Sequence, residues 1–310
     1  MNIYIDVFLL ILGFIIVFQS ANKFILYAES LGNYFGLSNL LIGIVIVGLA
    51  TSMPEILVSI ISALQGNPFL GFGNAIGSNI ANISLVIAVV MLISNNYSKL
   101  KIEKNNFLVL IIISVFFFLL IFDGNFDRYD SIISLTLLLL SFFVLIKSNK
   151  KESNNKNESN FFKVFSYFLI SYIFLIISSK IIVHFGVNIA EKLNLSDLTV
   201  GAVIFAFGTS LPELSASIVS IMNKKYNIAI GNILGSNLLN LLLGVGLIGF
   251  VTNINIPQFV LNFDYSIMLT LTLSMVLFTK NKAFSPGVYK LTGILFLLLY
   301  VYYIISVIMR

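Results

Sequence analysis

The sequence has no cysteine and no tryptophan, and only one of its 310 residues is a histidine. The lack of cysteine excludes disulfide bonds, thiolate metal sites and cysteine nucleophiles. The single histidine, His184, excludes a cluster of histidine ligands. Charged residues make up 10% of the chain, whereas hydrophobic residues make up 58% and the mean hydropathy is +1.02. Soluble domains have about a quarter charged residues, so the composition predicts an all-α integral membrane protein.

The net charge of +5 does not indicate a nucleic-acid partner, because the lysines fall between apolar runs, where they set membrane orientation. No cleavable signal peptide is expected, since the first apolar stretch follows Met1 and Asn2 without a basic segment. The lipid bilayer is the expected environment of the chain, and no obligate protein partner is predicted.

Apolar runs predict ten transmembrane helices. A hydrocarbon core of about 30 Å requires about 20 residues of helix. The predicted spans lie near residues 3–22, 39–64, 69–94, 106–122, 130–147, 162–182, 197–222, 227–251, 264–279 and 287–308.

The distribution of basic residues predicts the orientation of these spans. Fourteen of the 18 lysines and arginines fall on the side reached after the odd-numbered spans. Basic residues concentrate in cytoplasmic loops, so both termini are predicted to be extracellular in a plasma-membrane protein. Each half has an odd number of spans and therefore crosses in the opposite direction. We expect two inverted five-helix repeats, residues 1–147 and 161–310, joined by a cytoplasmic linker at 148–160.

One polar pattern occurs twice, 158 residues apart. GLATSMPE at 48–55 and GNAIGSNIAN at 73–82 correspond to AFGTSLPE at 206–213 and GNILGSNLLN at 231–240. Of the thirteen carboxylates, only Glu55 and Glu213 lie well inside apolar segments. An ionisable residue at membrane depth is costly and marks a functional site.

The residues before each glutamate predict a break in the helix. Pro54 and Pro212 lack an N–H group and disrupt the helical hydrogen bond to the carbonyl four residues earlier. A broken helix at membrane depth is tolerated where protein or a water-lined cavity satisfies its backbone. Hydroxyl side chains three and four residues before each glutamate would share its face, namely Thr51, Ser52, Thr209 and Ser210.

The second part of the pattern predicts one polar stripe on each following helix. Its members are spaced i, i+4, i+8 and are Asn74, Ser78 and Asn82 in the first half and Asn232, Ser236 and Asn240 in the second. The interspersed glycines would let neighbouring helices approach closely. Four helices would then enclose a pocket of oxygen ligands, which suits Na⁺ and Ca²⁺ better than Mg²⁺.

These motifs resemble those of the sodium/calcium exchangers of the calcium:cation antiporter superfamily, most closely the short prokaryotic and archaeal members. The similarity covers essentially the whole chain, including both copies of the family's α-repeat. It implies a secondary antiporter that exchanges three Na⁺ for one Ca²⁺ by alternating access and uses no cofactor beyond the transported ions. It also implies that the first and sixth spans slide across an eight-helix core.

The resemblance also implies a set of ion ligands. The implied Ca²⁺ ligands are Glu55, Glu213, Thr51 and Thr209. The implied Na⁺ ligands are Ser78 and Ser236 with the backbone carbonyls of Gly48 and Ala206, beside a central amide pair of Asn82 and Asn240; Ser52 and Ser210 are possible lining residues. Two positions depart from the family. Ala50 replaces a usual glycine, which should stiffen the first helix break, and Asn240 replaces an aspartate of potassium-dependent relatives, which argues against K⁺ coupling.

Three other functions remain open from the residues alone. Burial disfavours the charged form of a carboxylate, so Glu55 and Glu213 could carry protons in an H⁺/Ca²⁺ antiporter. A cation channel fits less well, because channel filters are usually rings of equivalent groups. A membrane-embedded hydrolase fits least, because no histidine or cysteine assists the two acids, and we expect the chain not to be an enzyme.

Overall fold

The computed structural model describes residues 3–94, 96, 104–149, 160–192, 206–275 and 285–309. The described part is almost entirely helical. One short antiparallel strand pair is present, in which β1 (Asn125–Phe126) pairs with β2 (Ile254–Asn255). The helices are α1 (Ile3–Tyr34), α2 (Asn39–Leu64), α3 (Pro68–Ile93), α4 (Lys104–Leu120), α5 (Arg128–Ser148), α6 (Phe161–Lys192), α7 (Ala206–Thr209), α8 (Leu211–Met222), α9 (Tyr226–Val251), α10 (Val260–Tyr265 and Ser266–Ser274) and α11 (Pro286–Ile308).

The helices confirm an all-α membrane protein. Seven helices of the described residues, α1, α2, α3, α5, α6, α9 and α11, are long and apolar enough to cross a bilayer, and Asn105–Leu120 and Leu211–Met222 are shorter apolar helices. Each of the ten predicted spans coincides with helix over most of its described residues; the exceptions are Ser94, Ile121 and Phe122 at span ends and Ser210 inside the seventh span. The start of the predicted span 197–222 and the end of 264–279 lie outside the described residues.

The first and sixth helices are much longer than their predicted spans. Each has 32 residues and runs on to Tyr34 and Lys192, instead of ending at 22 and 182. A helix of this length is about 48 Å long, longer than a hydrocarbon core. The polar residues in each C-terminal part lower hydropathy without breaking the helix. The first helix ends only before Gly36, whose positive φ of 68° closes it through a hydrogen bond from Leu37 N to Gly32 O of 2.9 Å.

The repeat is visible in the helix bounds themselves. The bounds of α6 are those of α1 shifted by 158 residues, and those of α9 are those of α3 shifted by the same number. The pair α1 and α6 packs antiparallel, with Phe24 stacked on Phe168 and Tyr27 on Tyr167, each at 5.2 Å between ring centroids. Equivalent helices that run in opposite directions mean that the two halves are inverted.

The α1/α6 pair has a hydrophobic cluster separate from the main core. Buried side chains of the pair, such as Phe24 and Leu175, pack with residues on the outer faces of α2, α8 and α9. The larger cluster contains the remaining helices and most of α3 and α9. The pair therefore lies as a unit against the rest of the molecule.

The predicted helix break is present in the second half but not in the first. Ser210 separates α7 from α8, and Pro212 follows in the first turn of α8. In the first half, by contrast, α2 continues through Pro54. Ala50, where the second half has Gly208, favours helix by about 1 kcal/mol, and a proline can be accommodated by a bend. The irregular part of α2 lies earlier, in the π-helical turn Ile42–Val47.

Candidate ion-binding site between the two halves

Glu55 of α2 and Glu213 of α8 meet in the interior of the molecule. Each is 1% exposed, and the two carboxylates are close enough to interact electrostatically. One comes from each half, so the repeats contribute equivalent acids to a single site. This convergence agrees with the sequence prediction.

Most of the carboxylate oxygens have no hydrogen-bond donor. Ser52 Oγ donates to Glu213 Oε1 at 3.3 Å. Glu213 Oε2 and both carboxylate oxygens of Glu55 are buried without a hydrogen-bond partner in the described part of the protein. Buried carboxylates are normally paired or bound to a cation. These oxygens therefore form a ready set of ligands.

The amide pair predicted at the centre of the site is also unpaired. Asn82 of α3 and Asn240 of α9 are each 1% exposed, and the side-chain oxygen and nitrogen of both lack partners among the described residues. Each asparagine begins a π-helical turn, Asn82–Val86 and Asn240–Gly244. Such turns shift the side-chain register and are frequent at functional sites. Ser210 Oγ is a further buried and unpaired oxygen.

A hydrogen-bond network joins the halves on one side of the glutamates. Thr51 Oγ1 donates to Asn232 Oδ1 at 3.0 Å and lies 3.4 Å from Ser236 Oγ. Asn232 Nδ2 in turn donates to Ser217 Oγ at 3.0 Å and to the backbone oxygen of Glu213 at 3.2 Å. Asn232 thus links α2, α8 and α9. Its place on the polar stripe is visible in the sequence, but its linking role is not, because its bond partners belong to two other helices.

The backbones of α2 and α9 touch at glycines beside this network. A Cβ atom added to Gly235 would lie 2.7 Å from Ile44 Cα, and one added to Gly231 would lie 2.9 Å from Gly43 Cα. The predicted packing role of the glycines is therefore confirmed for the second copy. At Gly73 and Gly77, the equivalents in the first copy, an added Cβ would meet no described atom within 4 Å; residues 193–205, which include the equivalents of the α2 residues in this contact, lie outside the described residues.

Two of the remaining predicted residues, Ser78 and Gly48, are buried one turn before residues described above. Ser78 is buried on α3, one turn before Asn82, and Gly48 O accepts a hydrogen bond of 3.4 Å from Thr51 Oγ1. Ala206 is the first residue of α7. Asn79, adjacent to the stripe, donates to the backbone oxygen of its equivalent Asn237 at 3.2 Å, as expected for an interhelical contact near the axis that relates the halves.

Thr209 faces a cavity instead of the network. The cavity has a volume of about 460 Å³ and lies between the C-terminal part of α6 and the residues just before both glutamates. Its lining includes Pro54, Pro212, Lys180 and His184. We call it the α6 cavity. It extends along α6 from Ile176 to Val187, next to Thr209 and the two prolines.

One residue near the acids has no signal in the sequence motifs. Tyr172 of α6 lies within electrostatic reach of both Glu55 and Glu213. The α1/α6 pair therefore contributes to the surroundings of the site. Among the described residues, no group of three or more histidine, cysteine, aspartate or glutamate side chains clusters elsewhere, so the two acids and their neutral oxygen neighbours are the best-formed cation site.

Inverted helical repeats that enclose buried polar groups, one set from each half, define a membrane transporter. The chain belongs to the sodium/calcium exchanger family: the sequence model of that family, described as sodium/calcium exchanger protein, matches residues 5–147 and 163–309.

Individual relatives are similar over nearly their full length. The membrane protein MJ0091 of Methanocaldococcus jannaschii is 30% identical over 299 residues, which are 96% of each chain. The sodium/calcium exchanger MaX1 of Methanosarcina acetivorans is 24% identical over 323 residues, covering 90% of this chain and 92% of its own. The sodium-calcium exchanger NCX_Mj soaked with 10 mM Na⁺ and zero Ca²⁺ matches with a TM-score of 0.84 at 28% identity, over 98% of this chain and 99% of that one.

Proposed function

We propose that this protein is a secondary antiporter that moves Ca²⁺ across the plasma membrane in exchange for Na⁺. Membership of the exchanger family and the match to NCX_Mj support a cation/Ca²⁺ antiporter. The choice of Na⁺ as coupling ion, the stoichiometry and the direction are our own inferences from the site.

The observation that carries the proposal is the cluster of buried oxygens without hydrogen-bond partners. These oxygens come from both halves and belong to Glu55, Glu213, Asn82, Asn240 and Ser210. Carboxylate, amide and hydroxyl oxygens are the ligands that Ca²⁺ and Na⁺ take in proteins. The full proposed ligand set adds Thr51, Thr209, Ser78, Ser236 and the carbonyls of Gly48 and Ala206, with Ser52 holding Glu213 in place.

The charge of the site favours electrogenic exchange. Glu55 and Glu213 together carry −2 when ionised, which one Ca²⁺ or two Na⁺ neutralise. A third Na⁺ leaves the loaded site at +1, so exchange of three Na⁺ for one Ca²⁺ moves one net charge per cycle. Each charge that crosses the membrane contributes about 2.3 kcal/mol per 100 mV, so the membrane potential should drive transport.

Alternating access would use the α1/α6 pair. Its separate hydrophobic cluster lets it move as a unit across the outer faces of α2, α8 and α9. The α6 cavity, which Thr209 and both prolines line, would give ions a route to the site from the side of the C-terminal part of α6. The basic-residue distribution places that side outside the cell, with the termini extracellular and the linker 148–160 cytoplasmic.

The test is ⁴⁵Ca²⁺ uptake into proteoliposomes that contain the purified protein. Uptake should require an opposing Na⁺ gradient and increase when an imposed potential favours the net charge movement. Glu55→Gln and Glu213→Gln should each reduce uptake to background, because either leaves only one negative charge for Ca²⁺. Ser59→Ala, on α2 one turn beyond Glu55, serves as the matched control and should retain uptake. Uptake that ignores the Na⁺ gradient would reject the proposal.

Proton coupling is the second candidate, because protons could also occupy the unpaired oxygens of Glu55. The same vesicles decide between them when a pH gradient replaces the Na⁺ gradient. Uptake driven by the pH gradient alone would identify an H⁺/Ca²⁺ antiporter that uses the same glutamates.

A further inference from the structure

A groove runs along the surface of the α1/α6 pair on the side away from the ion site. It has a volume of about 590 Å³ and is lined by side chains of these two helices alone. The lining includes the side chains of Ile16, Lys23 and Tyr27 of α1 and of Tyr167, Ile170 and Phe174 of α6. Most are exposed, and in a helix pair of a membrane protein an exposed groove of this kind faces lipid. We call it the α1/α6 groove.

The stacked rings of Tyr27 and Tyr167 lie at one end of the groove, next to Lys23. The rest is lined by the apolar side chains of Ile16, Ile170 and Phe174 and by the polar side chains of Gln19, Ser20, Asn22 and Ser171. Ile16 and Tyr27 are eleven helical positions apart, or about 17 Å at 1.5 Å per residue. This length is close to half of the roughly 30 Å hydrocarbon core, so the groove has the depth of one leaflet. Tyrosines at one end are typical of the headgroup level.

The end of the groove at Tyr27 and Tyr167 carries positive charge that no described acidic residue neutralises. Lys23 forms no salt bridge with any described residue. Lys163 precedes Tyr167 by four residues and so lies on the same face of α6, and it too has no described acidic partner. The acid on the same part of α1, Glu29, is paired with Lys225 at 2.5 Å. Two uncompensated lysines therefore flank the mouth of the groove.

We propose that the α1/α6 groove binds one anionic phospholipid. Its phosphate and headgroup contact Lys23 and Lys163, the tyrosine rings lie at its glycerol level, and one acyl chain follows Ile16, Ile170 and Phe174. Basic pockets between transmembrane helices bind anionic headgroups, and each lysine near the surface contributes about a fivefold preference over a neutral lipid. A zwitterionic lipid would leave both lysines without a counter-charge. Because the ligand touches both helices, it would hold the pair together as a unit.

The experiment is native mass spectrometry of the purified full-length protein, titrated with phosphatidylglycerol or with phosphatidylcholine of the same acyl chains. We expect one phosphatidylglycerol to bind in preference to phosphatidylcholine. Lys23→Gln and Lys163→Gln should each lower this preference by about fivefold, and the double variant should abolish it. Lys147→Gln removes the same charge from the exposed end of α5, outside the groove, and should leave the preference unchanged.

Two further measurements separate a lipid from other anions and from a general charge effect. Ile170→Trp fills the apolar part of the groove at a half-exposed position and should reduce phosphatidylglycerol binding without changing any charge. Free glycerol phosphate at the same concentration should not displace the lipid. The proposal is overturned if both lipids bind equally, if Lys147→Gln acts like Lys23→Gln, or if glycerol phosphate competes.

Discussion

The two copies of the motif have nearly the same residues but not the same packing. Thr51 of the first copy is fully buried and donates to Asn232 of α9, whereas Thr209 of the second is partly exposed and lines the α6 cavity. Gly231 and Gly235 touch the backbone of α2, whereas no described atom lies within 4 Å of a Cβ built on Gly73 or Gly77. Among the described residues, one copy of the motif is packed against a neighbouring helix and the other borders a cavity.

The symmetry of the sequence therefore does not decide which copy of the motif adopts which packing. Two equivalent segments with equivalent residues can each adopt the packing that the other has. If they exchanged packings, the packed copy would border a cavity and the other would pack against a helix, which is what alternating access requires of an inverted repeat. Under the proposed alternating access, the present arrangement would be one of two related states, the one in which Thr209 lines the α6 cavity.

The largest expected effect is a difference in thiol reactivity between positions 51 and 209. The chain has no cysteine, so each substitution introduces a single thiol. In Thr209→Cys the new thiol should react readily with a water-soluble maleimide, whereas in Thr51→Cys it should be protected. A minor conformation populated at about 0.1–10% makes the protected thiol react roughly 10 to 1,000 times more slowly. The measurement is the labelling rate of each purified variant at the same Na⁺ concentration.

A third variant sets the scale of this labelling experiment. Lys180→Cys lies on the wall of the α6 cavity and should react about as fast as Thr209→Cys. Equal labelling at positions 51 and 209 would show that the two copies are equally accessible in solution, which would contradict the difference in packing between them.

The next largest expected effect is a difference in stability between alanine substitutions at Gly235 and at its counterpart Gly77. Gly235→Ala places a Cβ 2.7 Å from Ile44 Cα, and overpacking of this kind costs about 1–3 kcal/mol. Gly77→Ala meets no described atom within 4 Å, so we expect it to leave stability unchanged. Thermal unfolding of the two purified variants measures the difference.

The same pair of variants tests whether the packings are exchanged during transport. If Gly77 must enter a close contact in the opposite state, Gly77→Ala should slow ⁴⁵Ca²⁺ exchange although the protein remains as stable as the wild type. If the Gly77→Ala variant exchanges ⁴⁵Ca²⁺ at the wild-type rate, this glycine does not approach a neighbouring backbone during transport, and the two copies do not exchange packings.

The parts that could be predicted from the sequence are those set by composition and repetition. The burial of Glu55 with Glu213 could be predicted for two reasons. An acid inside an apolar segment needs polar partners, and each copy of the repeat contains one such acid with the same polar neighbours. The continuous helix at Pro54 could not be predicted, because a helix continues through a proline only where the neighbouring helices accommodate the bend. The linking role of Asn232, the position of Tyr172 and the π-helical turns also depend on tertiary contacts. The difference between Thr51 and Thr209 is a choice between two states that one sequence encodes equally.

The smallest predicted effect concerns the contacts that keep the far side closed. Glu29 of α1 pairs with Lys225 at 2.5 Å, and Asn223 Nδ2 donates to Asn22 Oδ1 at 2.8 Å, both joining α1 to the turn between α8 and α9. These contacts lie at the end of α1 opposite the α6 cavity. An ion pair this close to the surface contributes up to about 1 kcal/mol, so Glu29→Gln should shift the balance between states by up to about fivefold.

The readout is again thiol labelling: adding Glu29→Gln should quicken labelling of Thr51→Cys by up to about fivefold and slow labelling of Thr209→Cys only slightly, because the major state remains dominant. Exchanging the charges, with Glu29→Lys and Lys225→Glu together, should restore the original rates if the attraction itself holds α1 against the turn. Each single reversal should shift the rates further than Glu29→Gln does, because it adds repulsion to the loss of attraction. Rates that do not respond to any of these changes would mean that helix packing alone, at Gly231 and Gly235, keeps the far side closed.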